Sequence, residues 1–141
     1  MEKLLVKKLY PDAILPKRQT PDSAGYDICS YCDCTILPGT KQLIDTGLSF
    51  TVPEGTYGQL APRSGMSCKG THVGAGVIDR DYTGHVKVLM FNLNKVKTID
   101  INKGDRIAQL LIKRISLCDV EEVDELSSTS RGAQGFGSTG S

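Results

Sequence analysis

Glycine and proline interrupt this chain at short intervals, 15 and 6 of them in 141 residues. That spacing leaves little room for long helices and points to short strands joined by turns. The runs between the breaks agree. Leu43-Ile-Asp-Thr-Gly-Leu-Ser-Phe-Thr-Val52 alternates through Leu48, Phe50 and Val52, the pattern of a half-buried strand, and Pro53-Glu-Gly55 supplies a turn. Val86–Asn92 alternates again, and Thr98–Ile101 is a short β-prone run ended by Lys103-Gly104. Ile107–Ile112 is almost wholly apolar apart from Gln109, which predicts a strand buried on both faces. The one helix expected is short, near Ser64–Lys69. The pattern predicts an all-β sandwich or barrel over residues 1–126. From about Ser127 the composition shifts to Ser, Gly and Thr, so residues 127–141 are expected to be a flexible arm.

Charge and cysteine usage narrow the function classes. Lys+Arg 17 against Asp+Glu 16 leaves no bulk field for nucleic acid or a membrane surface. An anionic ligand would have to be held by a few placed cations. No apolar run approaches the ~20 residues of a membrane span, and the N-terminus lacks a signal-peptide pattern. These features predict a cytosolic or nuclear setting, which also suits five cysteines, an odd number for a disulfide framework. Cys29-x2-Cys32-x-Cys34 looks like half a zinc site, but Cys68, Cys118, His72 and His85 are scattered singly. Free thiols are expected instead.

Several segments carry chemistry, each with a plain structural alternative. Gly76-Val-Ile-Asp79-Arg-Asp-Tyr82-Thr-Gly84 reads as a β-hairpin that can offer main-chain N–H and C=O groups to a base, with Asp79 as a general base toward water. It reads equally as a solvated acidic turn. Pro62-Arg63-Ser64-Gly65 sets a cation, a hydroxyl and a glycine after a strand, suited to phosphate or to an ordinary capped turn. Asp27, after the Ser23-Ala-Gly turn, can meet a hydrated Mg²⁺ or stand as an exposed turn residue. Gln109 inside an apolar strand must bond the backbone or face a polar site, since a buried unpaired amide costs about 1–3 kcal/mol. Asp105 or Arg106 is expected to form a structural ion pair, and neither histidine is assigned catalysis. The end of the chain, Arg131-Gly-Ala-Gln-Gly-Phe136-Gly137-Ser138-Thr-Gly-Ser141, carries a guanidinium, a phenyl ring and many N–H donors. Such an arm can close over a nucleotide, or be a solvated Gly/Ser end.

In order and spacing, Ala24-Gly-Tyr-Asp27-Ile, Pro62-Arg-Ser-Gly65, Gly76-Val-Ile-Asp79-Arg-Asp-Tyr-Thr-Gly84, Gly104-Asp-Arg-Ile-Ala-Gln109 and Arg131-Gly-Ala-Gln-Gly-Phe-Gly-Ser-Thr-Gly140 resemble the five motifs of trimeric dUTPases. The resemblance runs from about residue 3 to the end. It implies a distorted jelly-roll in a homotrimer whose three sites are shared: the first, second and fourth motifs from one subunit, the third from a neighbour, the arm from the remaining one. The implied reaction is hydrolysis of dUTP to dUMP and pyrophosphate with Mg²⁺, which limits uracil in DNA and supplies dUMP for dTMP synthesis.

The resemblance also implies residue roles. Asp79 would deprotonate the water that attacks the α-phosphorus. Ser64 and Gln109 would hold the α-phosphate region, with Arg63 and Gly65 beside the phosphate chain, and Asp27 would meet the metal through its water shell. Tyr82 would pack under the deoxyribose and exclude a ribose hydroxyl. Main-chain groups of Gly76, Val77 and Ile78, with Lys87 on the next strand, would read uracil. Arg131 would bind the γ-phosphate, Phe136 stack on uracil, and Gly137 and Ser138 close the lid. The segment between Gly65 and Gly74 is one residue shorter than in many members, with His72 where an aspartate is common. The compact chain suits a viral or bacterial form. A dUTP-binding regulator on the same fold and the related dCTP deaminases are the alternatives. Asp79, Gln109 and the Gly-Phe-Gly-Ser-Thr arm favour the hydrolase.

Overall fold

The two alternating runs become the central strands of one sheet and the apolar run a central strand of a second, and the two sheets share one core. A computed structural model of the chain describes residues 2–137. Its elements are β1 (Leu5–Lys8), β2 (Tyr26–Cys29), β3 (Cys34–Ile36), β4 (Lys41–Thr51), β5 (Thr56–Ala61), α1 (Ser64–Cys68), β6 (Thr71–Gly74), β7 (Val77–Ile78), β8 (Val86–Asn92), β9 (Ile99–Ile101) and β10 (Arg106–Arg114). One four-stranded sheet has the order β1-β4-β8-β6 and the other β2-β10-β5-β7, while β3 and β9 form a two-stranded ribbon. The architecture is all-β and jelly-roll-like, as the punctuation of the sequence predicts.

Period-2 alternation places the core. Ile44, Phe50, Val86, Val88 and Met90 face inward from the first sheet, and Ile28, Leu60, Ile107 and Leu110 meet them from the second. Burying a side chain such as Leu110 contributes about 1.5–3 kcal/mol. Ile107, Ala108 and Leu110 are buried at the start of β10, but Leu111 and Ile112 are only partly covered. The two-faced burial read from the apolar run therefore holds for half the strand. Helix α1 lies where the sequence puts it. Cys29, Cys32, Cys34, Cys68 and Cys118 are all free thiols.

The segment after Gly76 is not the expected hairpin. β7 pairs with β5 (Gly58↔Ile78, Gln59↔Val77) and not with β8. β8 pairs instead with β6, Gly74 opposite Leu89. The stretch from 75 to 85 is thus an excursion from the first sheet to the edge of the second and back. Alternation specifies which side chains face inward but not which strand lies alongside. The crossing is held by Gly76, whose carbonyl accepts the Leu60 N–H at 2.7 Å. A Cβ at Gly76 would stand 2.4 Å from the Leu60 carbonyl oxygen, so only glycine permits this approach.

Of Asp105 and Arg106, it is Arg106 that forms the expected ion pair. The Asp105 carboxylate accepts the Asn102 N–H at 2.8 Å, a local turn bond. Arg106 turns away and pairs with Asp27 at 3.7 Å. Adjacent residues at a strand entry point to opposite faces, which is why the two part.

Beyond β10 the chain leaves the body. Residues 115–134 are exposed and form neither strand nor helix. Leu117, Val120 and Leu126 are 87%, 98% and 87% exposed, a display of apolar side chains that a single copy leaves uncovered.

Candidate active site

Strand register builds one half of the site. On β10, Gln109 stands opposite Asp27 of β2 on one side and Ala61 of β5 on the other. Directly opposed residues share a face, so the Asp27 carboxylate, the Gln109 amide and the end of β5 converge. Gln109 donates Nε2–H to the Pro62 carbonyl at 2.9 Å. That bond answers the question its sequence position raises. Gly25 lies flat against it, and a Cβ there would be 2.1 Å from Gln109 Oε1. Gly25→Ala should therefore displace the amide and lower kcat about 10- to 100-fold while the protein stays folded. Steady-state kinetics alongside a thermal melt checks this.

Arg63 extends from the end of β5 over Asp27. Its Nε lies 3.3 Å from Asp27 Oδ1, and its Nη1 donates to the Arg106 carbonyl at 3.1 Å. Arg106 Nη1 and Gln19 Nε2 both approach Asp27 Oδ2. The Asp27 side chain is only 13% exposed, so the exposed turn carboxylate allowed by the sequence is not what the fold makes. Among the described residues, Nε and Nη1 of Arg63 have partners and no bond of Nη2 is seen, so Nη2 can meet an anion. Ser64 is exposed at the start of α1, beside Gly65, whose Cβ position has nothing within 4 Å. Cys29 adjoins this group. Burial and then the Asp27 carboxylate push its thiol up, which keeps it protonated and unreactive near neutral pH.

The other half is a cleft of about 550 Å³ lined by Leu43, Leu60, Val77, Ile78, Asp79, Tyr82, His85, Lys87 and Leu89, among others. Asp79 is exposed at its rim, and the Asp79 carbonyl accepts the Tyr82 N–H at 3.1 Å. Tyr82 donates its hydroxyl to the His85 carbonyl at 2.5 Å, which fixes the ring as one wall. Ala75, also on the lining, has φ +46°, a strained value for a residue with a Cβ. His72 lies outside the cleft and tilts against Phe91 with centroids 6.4 Å apart.

The two groups are distinct within one chain, although both border β5: Leu60 lines the cleft and Arg63 follows the strand. The cleft includes none of Asp27, Arg63, Ser64 or Gln109, and no hydrogen bond or ion pair of the described residues joins the groups. The bonds of Arg131 in the arm are local. Arg131 Nε donates to the Gln134 carbonyl at 2.6 Å, and Phe136 is fully exposed with Gly137 beside it. Ser138 lies outside the described residues.

A family model for dUTPase matches residues 11–140, nearly the whole chain. The chain belongs to the dUTPase family. It is 54% identical over 125 residues to the deoxyuridine 5'-triphosphate nucleotidohydrolases of cowpox virus and of vaccinia virus strain Copenhagen, covering 89% of this chain and 84% of each relative. Among solved structures, the fold resembles a mutant dUTPase of Staphylococcus bacteriophage 80alpha with dUpNHpp, with a TM-score of 0.92, 32% identity and 99% of both chains covered. A mutant dUTPase of phage phi11 of S. aureus, studied for its coordination of a structural Mg(II) ion, has a TM-score of 0.83 and 30% identity over 89% of this chain and 99% of its own. As a dUTPase the protein is an enzyme of the hydrolase class.

The residues bear on the family's metal in a specific way. Among the described residues, no group of three His, Cys, Asp or Glu side chains converges to hold an ion. Asp27 already faces two arginines and Gln19, which suits it poorly as a direct ligand. A carboxylate has about four lone-pair sites, so one remains to accept a hydrogen bond from metal-bound water. This donor set fits Mg²⁺ carried on substrate phosphates with most of its waters kept. Among the described residues no helix is long and apolar enough to cross a membrane.

Sequence reasoning missed Gln19, His85, Leu43 and Leu89 as members of these groups. Gln19 reaches Asp27 across the Thr20–Ser23 turn, and its only sequence signal is the Pro21-Asp22 turn that folds the segment back.

Proposed function

We propose that the protein hydrolyses dUTP to dUMP and pyrophosphate in sites assembled from three copies of the chain. The observation that carries this reading is the separation of the phosphate group (Asp27, Arg63, Ser64, Gln109) from the cleft that holds Asp79 and Tyr82. Juxtaposing the phosphate group of one subunit with the cleft of the next supplies a complete set, and the arm of the remaining subunit closes over it. The exposed Leu117, Val120 and Leu126 find cover on a neighbouring subunit in such an assembly. Residues 1–126 serve as the body and 127–141 as the closing arm.

In the cleft, main-chain groups of Gly76, Val77 and Ile78 read the uracil edge, with Lys87 on β8 alongside. Cytosine, with donor and acceptor reversed, leaves these groups unpaired, a difference worth up to ~10⁴ in rate. A 5-methyl group is excluded by contact, because β7 is anchored to β5 and cannot yield. The Tyr82 ring, fixed through its hydroxyl, packs against the deoxyribose where a ribose 2'-OH would sit.

On the phosphate side, Ser64 and Gln109 hold the α-phosphate, while Arg63 and the open space at Gly65 accept the rest of the chain. The Asp79 carboxylate takes a proton from water as its oxygen bonds to the α-phosphorus and the bond to the β-phosphate oxygen breaks. Mg²⁺ on the phosphates, when bound, neutralises the charge that builds on the departing pyrophosphate. Asp27 orders the water around that ion. Arg131 binds the γ-phosphate, Phe136 stacks on uracil, and Gly137 and Ser138 cover the nucleotide. The products follow directly: less dUTP for incorporation into DNA, and dUMP for dTMP synthesis. The reaction is expected in the cytoplasm or nucleus of a host cell, in keeping with the poxvirus relatives.

Pyrophosphate release with dUTP, dTTP, dCTP and UTP tests the reading. With Mg²⁺, dUTP should turn over at least about 10³-fold faster, by kcat/KM, than each of the other three. Equal turnover of UTP would remove the role given to Tyr82.

A further inference from the structure

Arg63 is held by groups that have no reason to touch the nucleotide. Asp27 binds its Nε, and the main-chain carbonyl of Arg106 binds its Nη1. Asp27 is itself fixed from its other oxygen, Oδ2, by Arg106 Nη1 and Gln19 Nε2. A guanidinium is planar and rigid, so restraining two nitrogens sets the direction of the third. We propose that Gln19 and Arg106 are positioning residues which, through Asp27, aim the free Nη2 edge of Arg63 at the phosphates beyond the α-phosphate. The inference rests on Arg63 being a phosphate ligand.

The alternatives are weaker on physical grounds. An exposed ion pair alone stabilises little, so Arg106 at 48% exposure would matter little to the fold. Gln19 is exposed and packs in no core. Its segment is nonetheless ordered toward Asp27: the Asp27 N–H donates to the Lys17 carbonyl at 2.8 Å, Arg18 Nη1 donates to the Pro21 carbonyl at 2.6 Å, and the Thr20 and Ser23 hydroxyls bond at 2.7 Å. These bonds fold residues 17–23 so that the Gln19 amide arrives at Oδ2. Removing either partner would let Asp27 rotate and Arg63 with it, which in the absence of the metal weakens only ligands that reach Arg63.

A double-mutant cycle read by calorimetry tests this, using dUpNHpp and dUMP without Mg²⁺, so that the water shell assigned to Asp27 does not contribute. Gln19→Leu and Arg106→Gln should each weaken dUpNHpp binding about three- to tenfold and leave dUMP binding within about twofold. Arg106→Lys, which restores a cation opposite Asp27, should recover most of the loss. In an Arg63→Ala background neither change should have further effect. Equal weakening of dUMP and dUpNHpp, or a loss that persists without Arg63, would show a general structural role and overturn the inference. So would wild-type dUpNHpp affinity in both single variants. If Arg63→Ala itself binds dUpNHpp normally, the phosphate assignment fails and the inference falls with it.

Discussion

Asp79→Asn is expected to stop dUTP hydrolysis, lowering kcat about 10³-fold or more, while dUpNHpp still binds within a few-fold of the unaltered protein. The amide keeps the size of the carboxylate and can still hold a water, but it cannot accept the proton that the attacking oxygen must lose. Asp79 is exposed on the excursion between β7 and β8, so the substitution removes no buried contact and should not lower the melting temperature. Single-turnover kinetics on enzyme saturated with dUTP separates this chemical step from product release. Retained turnover would mean that another group acts as the base.

Removing residues 127–141 should cost nearly as much, about 10²–10³-fold in kcat/KM, with the assembly intact. Each charge-aimed donor lost from a closed site is worth about that much, and the truncation takes away Arg131 together with the ring that covers the base. Gly132 N–H to Thr129 Oγ1 at 3.1 Å and Arg131 Nε to the Gln134 carbonyl at 2.6 Å are local bonds, and residues 127–134 are exposed, so removal of the arm takes away no buried side chain of that stretch. Sedimentation of the truncated protein should match that of the full chain. Binding should weaken more for dUpNHpp than for dUMP, because Arg131 is assigned to the γ-phosphate.

Much of this arrangement was legible in the sequence, and the gaps have physical causes. Alternation in β4 and β8 located the core because period-2 burial is a local property of the chain. The misread hairpin at Gly76–Val86 shows the limit: turn chemistry at Asp79–Tyr82 was correct, but the partner of β7 depends on a close backbone approach to Leu60, 16 residues earlier. Gln109 announced itself as a polar intruder, yet its acceptor, the Pro62 carbonyl, is visible only once β10 lies beside β5. The ion pair expected at Asp105 or Arg106 is made by Arg106, but its partner, Asp27, is visible only once β10 lies beside β2. The motifs name the candidate residues, and the fold divides them between the Asp27–Gln109 group and the cleft. That division, which no single motif contains, is what the proposed multi-subunit site rests on.

The measurement that bears most directly on the shared site uses two inactive proteins. Asp79→Asn chains and chains lacking residues 127–141 are refolded together and assayed for pyrophosphate release from dUTP. If Asp79 and the arm reach each site from different subunits, random assortment gives about one quarter of the sites an intact set, and about that share of normal activity returns. If every site were built within one chain, no mixture could hold a complete one, and activity would stay at the level of the separate variants.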